Sequence, residues 1–133
     1  MSETLRLAGY AALFDVPDGA RDTIVRGAFA RTLSDQREKL PLFWQHRPDQ
    51  RIGTVDLAQE DGRGLRVIAT IDNPRSRAVD LLLNKAVSGL SFGYRARGYQ
   101  MLPQGRVLRD IDLFEVSLVS QPLQPGARVH LLR

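Results

Sequence analysis

The sequence contains no cysteine. That absence excludes disulfide scaffolds, thiolate zinc sites and cysteine nucleophiles, and it fits a reducing compartment. Long apolar runs are also missing: nothing approaches the roughly 18 residues that a membrane-spanning helix needs. The start, "MSETLRLAGY", lacks the basic and apolar regions of a secretory signal. There is no H-E-x-x-H pair, no G-x-x-x-x-G-K-[ST] loop and no glycine fingerprint after a strand. Histidine is scarce, with only two. A metal site would have to be built from His46, His130 and carboxylates at no recognised spacing, so neither metal nor cofactor is expected.

The remaining composition is that of an ordinary globular chain, 43% hydrophobic and 26% charged. A length of 133 residues points to one domain, 1–133, able to bury a core without cross-links. The net charge is +4 and the pI near 10.1. Acids and bases are interspersed, however, and the nearest cluster is "RSRAV" at 75–79. This reads as a solvated basic surface rather than a nucleic-acid footprint. A small basic barrel that stacks single-stranded nucleic acid on Tyr94 and Tyr99 is the competing reading.

Along the chain, "LRLAGYAALFDV" reads as a strand closed by the turn signal Pro17-Asp18-Gly19. In "DTIVRGAFARTLSDQREK" the period changes, and the spacing of Phe29, Ala30 and Leu33 predicts a helix that starts near Gly27 and that Pro41 ends. "LPLFWQH" predicts a short buried strand ending near His46. "RIGTVDLAQ" and "GLRVIATID" predict a hairpin, the second with Leu65, Val67, Ala69 and Ile71 on one face. "NPRSRAVDLLLNKAV" predicts a helix capped by Asn73 with Pro74 in its first turn. "GLSFGYRARGYQ", "GRVLRDIDL" and "FEVSLVS" predict three strands, and the tail returns as a last one. Six to eight strands with two helices imply a closed or nearly closed β-barrel.

Three places carry candidate chemistry. His46 ends an apolar strand, where a side chain is both fixed and reachable. In "VSGLSFGYRARG", alternation puts Leu90, Phe92 and Tyr94 on one face and Ser91, Gly93 and Arg95 on the other. Gly93 then leaves room beside Ser91 for a substrate carbonyl. Ser88, nearer the preceding helix, is the other serine, and an ordinary polar strand face accounts for both. Glu115 lies among apolar residues and needs a partner. An arginine would serve as one, and a histidine Nδ1–H, as in a serine triad, would serve equally.

Taken in order, "GYAALFD", "RGAF", "LPLFWQHRPDQRIGTV", "VSGLSFGYRA" and "DLFEVSLVSQPLQPGARV" resemble the prohead (capsid maturation) proteases of tailed phages and phage-like gene transfer agents. That family is distantly similar to the herpesvirus assembly proteases, serine peptidases built on a β-barrel surrounded by helices. The resemblance implies Ser91 as nucleophile, His46 as general base, and Glu115 where the herpesvirus enzymes carry a second histidine. It implies oxyanion donors near Ala127 and Arg128, where "SQPLQPGAR" departs from the herpesvirus loop. The implied substrate is scaffold, or the scaffold-like segment of the major capsid protein, cut inside an immature shell in the host cytoplasm, with self-cleavage as a further expectation. It also implies a homodimer or higher oligomer. A catalytically silent barrel that binds scaffold is the alternative.

Overall fold

The computed structural model describes residues 4–132, with side chains assigned through residue 130. Eight strands and two short helices follow in the order β1 (Leu5–Leu13), β2 (Asp22–Ile24), α1 (Ala30–Asp35), β3 (Pro41–Trp44), β4 (Arg47–Glu60), β5 (Gly64–Ile71), α2 (Arg77–Leu83), β6 (Gly89–Leu102), β7 (Gly105–Val119) and β8 (Val129–Leu132). All strands join one sheet, ordered β2-β7-β3-β4-β5-β1-β8, with β6 pairing β7. The sheet curls into a half-barrel. Its far end comes back to β6 through a single bridge, Gly89 opposite Arg128. The expected barrel of six to eight strands is thus present, and its closure rests on that one bridge.

Alternation dictates the inner face. Leu65, Val67, Ala69 and Ile71 of β5 are fully buried, meeting Leu7, Leu42, Leu90, Leu108, Ile111 and Leu118 from the other strands. A row of aromatic rings, Phe14–Phe29–Phe92–Tyr94, runs through this core with centroids 6.5, 5.4 and 4.8 Å apart. Such ring contacts add about 0.5–1.5 kcal/mol each beyond their burial.

Local chemistry moved three expected elements. The early helix is only six residues long. Upstream of it, the β-branched run Thr23-Ile24-Val25 favours extended backbone, and Asp22–Ile24 pairs in parallel with Arg106–Leu108. Gly27, at φ +92°, breaks the chain between the two. The Glu60 carboxylate then accepts the N–H groups of Gly27 and Phe29, both at 2.8 Å. The second helix starts at Ser76, whose Oγ accepts the Val79 N–H. Asn73 instead closes a tight turn onto the Arg75 N–H at 3.0 Å. Finally, the two strands expected over residues 105–120 are one, β7. The expected break is a bulge: Gly93 pairs with Glu115 and Tyr94 with Leu113, leaving Phe114 unpaired.

Among the described residues, Asp22 is the one buried carboxylate tied to the core of the fold rather than to the outer face. It is 3% exposed, accepts two bonds from Arg106 at 2.9 and 2.8 Å, and accepts the Tyr94 hydroxyl at 2.9 Å. The Arg106 guanidinium, helped by the Tyr94 hydroxyl and opposed by burial, holds the Asp22 carboxyl below its usual range. Burial and the neighbouring carboxylate push Tyr94 up to about 12. Asp22→Ala is expected to cost about 2–4 kcal/mol in urea unfolding at pH 7, read from Trp44 fluorescence. Because the folded pKa of Asp22 is depressed, its contribution is present at neutral pH. It is lost as the pH falls below about 4, so the gap between parent and variant should narrow at pH 3.

Candidate active site

His46 lies in the turn between β3 and β4. Trp44 pairs with Arg47, so Gln45 and His46 alone make the reversal. Both have positive φ, 52° and 62°, the signature of a type I′ hairpin turn. Such turns favour Asn-Gly. Two non-glycine residues in left-handed backbone cost of order 1–2 kcal/mol each, and strain of this kind concentrates at functional sites. The turn is held from outside. Gln45 N–H donates to the Leu118 carbonyl at 2.9 Å. The Gln45 side chain exchanges two bonds with Ser120, at 3.3 and 3.2 Å. His46 N–H donates to Ser117 Oγ at 3.1 Å.

The imidazole is thereby aimed at β7. His46 Nδ1 sits 2.6 Å from Glu115 Oε1. The second carboxylate oxygen, Oε2, accepts the Ser117 hydroxyl at 2.6 Å. Glu115 is 7% exposed and Ser117 fully buried. Of the two partners open to Glu115 from the sequence, histidine is the one it takes. The hydrogen bond to Glu115 raises the His46 pKa above the usual 6.5, against an opposing effect of burial. A neutral imidazole that donates its Nδ1–H to the carboxylate in a hydrogen bond keeps Nε2 free as a proton acceptor.

Ser91 belongs to the same face. It pairs directly with Ser117, and Gly93 with Glu115, and cross-strand partners share a face about 5 Å apart. Ser91 is 5% exposed, and its hydroxyl makes no hydrogen bond to the described residues. Ser88 lies outside β6, at the joint after α2, with its hydroxyl accepting from Arg128 at 3.1 Å. The structure therefore groups Ser91, His46 and Glu115 on one patch and leaves Ser88 out.

Two expectations are corrected. The space over Gly93 is not open to a substrate carbonyl, because it holds the Glu115 carboxylate. A Cβ there would lie 2.5 Å from Oε1 and 2.9 Å from Cγ. Glycine at 93 thus lets Glu115 lie across β6. The oxyanion expectation at Ala127 and Arg128 also meets the wrong geometry. The Ala127 N–H is donated to the Gln124 carbonyl at 2.9 Å. Leu90 N–H donates to the Ala127 carbonyl, and Val129 N–H donates to the Ser88 carbonyl. Gly89 and Arg128 are therefore a non-hydrogen-bonded pair, and the Arg128 N–H points away from β6.

Ser117 is the residue that sequence reading missed. It was legible in principle: two residues beyond Glu115 on a strand, it must share that carboxylate's face.

Set beside known proteins, the chain matches the caudovirus prohead serine protease family over residues 1–133. It is 30% identical over 132 residues to the prohead protease of Enterobacteria phage HK97, covering 94% of this chain and 59% of that protein. A capsid polyprotein of Pseudomonas phage PAJU2 is 28% identical over 101 residues, which span 68% of this chain and 15% of the polyprotein. The chain therefore spans about three-fifths or less of the curated relatives it matches. Among solved structures, the varicella-zoster virus protease superposes with TM-score 0.66 at 21% identity, covering 96% of this chain and 64% of that one. The KSHV protease bound to a hexapeptide phosphonate inhibitor gives 0.61 at 16% identity, with 98% and 65% covered.

Proposed function

The chain belongs to the caudovirus prohead serine protease family, and from that premise we propose that it is a serine endopeptidase of capsid maturation. Its substrate is scaffold or the scaffold-like segment of the major capsid protein, cut within the immature shell. Ser91 attacks the scissile carbonyl while His46 Nε2 takes its proton. The tetrahedral intermediate collapses to an acyl-enzyme as His46 returns the proton to the leaving amine, and water then releases the acyl group. Glu115 fixes the imidazole tautomer and stabilises the imidazolium through a charge-assisted bond.

The observation that carries this reading is the 2.6 Å contact of His46 Nδ1 with Glu115, one strand away from Ser91 on the same face. A purely structural role for Glu115 would be met by any of the many arginines and would not require His46 in a strained turn. The relative named as a capsid polyprotein fits a capsid substrate.

Incubating the chain with the precursor of its own major capsid protein is expected to yield one shortened capsid chain with a discrete new N-terminus, read by mass spectrometry. An intact precursor that nonetheless binds the chain would favour the silent scaffold-binding barrel.

A further inference from the structure

Five phenylalanines occur in the chain, and they divide sharply. Phe14, Phe29 and Phe92 belong to the core and touch one another in series. The other two, Phe43 and Phe114, are outside it.

Phe43 pairs with Ser117, while its neighbour Leu42 pairs with the fully buried Val116. Phe43 therefore stands on the outer face, in one row with Ser117 and Ser91, and it is half-buried there. Phe114 is the residue that the β7 bulge leaves unpaired. It is 53% exposed, although Leu113 and Glu115 on either side are each 7% exposed. Bulges re-aim side chains, and this one turns a large apolar ring to solvent immediately beside Glu115. Neither ring supports the core, and both flank the His46–Glu115 pair. Strands lie about 4.8 Å apart and rise about 3.4 Å per residue. Each ring's backbone is thus about 10 Å from that of Ser91, the reach of substrate side chains two or three residues from the scissile bond.

We propose that Phe43 and Phe114 wall the substrate groove and select apolar side chains within three residues of the scissile bond of an extended peptide. This rests on the catalytic reading of Ser91 given above. Each ring contributes by covering an aliphatic or aromatic substrate side chain, removing its apolar surface from water. A bulged strand keeps Phe114 clear of the ladder, so the ring is available without disturbing Glu115.

The test is a digest of a proteome-derived peptide library, with new termini read by mass spectrometry, alongside fluorophosphonate labelling of the parent. The parent should enrich aliphatic or aromatic residues about tenfold at one or more of the six positions around the cut. Phe114→Ser should bring its position to within about twofold of background, and Phe114→Leu should keep most of the enrichment. Phe43→Ser should do the same at a different position. A parent labelled at Ser91 that shows no apolar preference would overturn the groove alone. So would an unchanged profile in both serine variants. A parent that neither labels nor cleaves would overturn the catalytic reading and the groove with it.

Discussion

Ser91→Ala is expected to abolish cleavage of the capsid precursor, a loss of about 10⁴-fold or more in kcat, with the fold intact. The size follows from the proposed role: removing a nucleophile leaves only binding and whatever electrostatic stabilisation the site supplies. Retention of the fold follows from the setting. Ser91 makes no hydrogen bond to the described residues and faces away from the core. Deleting its hydroxyl therefore strands no partner and leaves a void smaller than a methyl group, worth well under about 1 kcal/mol. Ser88→Ala is the matched control. It removes one bond from an arginine whose guanidinium also holds the Pro125 carbonyl, and it should cleave within about threefold of the parent. If Ser91→Ala cleaves like the parent, the assignment is wrong. If Ser88→Ala alone is inactive, the register of the nucleophile has slipped toward the helix.

How far the sequence reaches is clearest along β6 and β7. Period-two alternation placed Leu90, Phe92 and Tyr94 inward and Ser91 outward, because on a half-buried sheet one slip would turn every apolar side chain into water. The apolar residues on either side of Glu115 demanded a partner for its carboxylate. What the local pattern could not supply was which strand lies beside which. His46 and Glu115 are 69 positions apart, joined by the parallel pairing of β3 with β7, a contact no local pattern encodes. The role of Gly93 failed for the same reason. Its empty side is plain in the sequence, but its occupant, the Glu115 carboxylate, comes from across the strand pair. The short α1 shows a start read correctly and an end read too late. The apolar spacing of Phe29 and Leu33 is genuinely helical and Gly27 lies just before the helix, but the helix stops at Asp35, short of Pro41. Asn73 misled because Asn favours turns and helix caps alike through one mechanism, a side-chain oxygen accepting a nearby N–H.

Glu115→Gln separates orientation from charge, and the hydrogen-bond order around it dictates the result. Ser117 Oγ accepts the His46 backbone N–H, so its own proton is committed to Glu115 Oε2. In the variant that proton claims the amide oxygen, which leaves the amide NH₂ facing His46 Nδ1. The imidazole must then accept at Nδ1 and carry its proton on Nε2, the tautomer that cannot receive a proton from Ser91. The expected loss in kcat is about 10²–10⁴-fold, with KM little changed, because the carboxylate is buried and acts through His46. The pH profile gives a second, independent reading. The proposed mechanism needs neutral His46, and in the parent Glu115 holds its pKa above 6.5, so activity should fall on the acid side through a pKa above that of a free histidine. Replacing the carboxylate removes the cause of the shift. In Glu115→Gln the residual acid limb should move to lower pH, even as the plateau drops. The linkage to stability has the opposite sense. A histidine whose folded pKa is raised stabilises the fold fully below its unfolded pKa and loses that contribution as the pH rises through the folded value. A variant whose plateau falls without any movement of the acid limb would show that Glu115 acts on something other than His46. An unchanged plateau would remove Glu115 from the mechanism altogether.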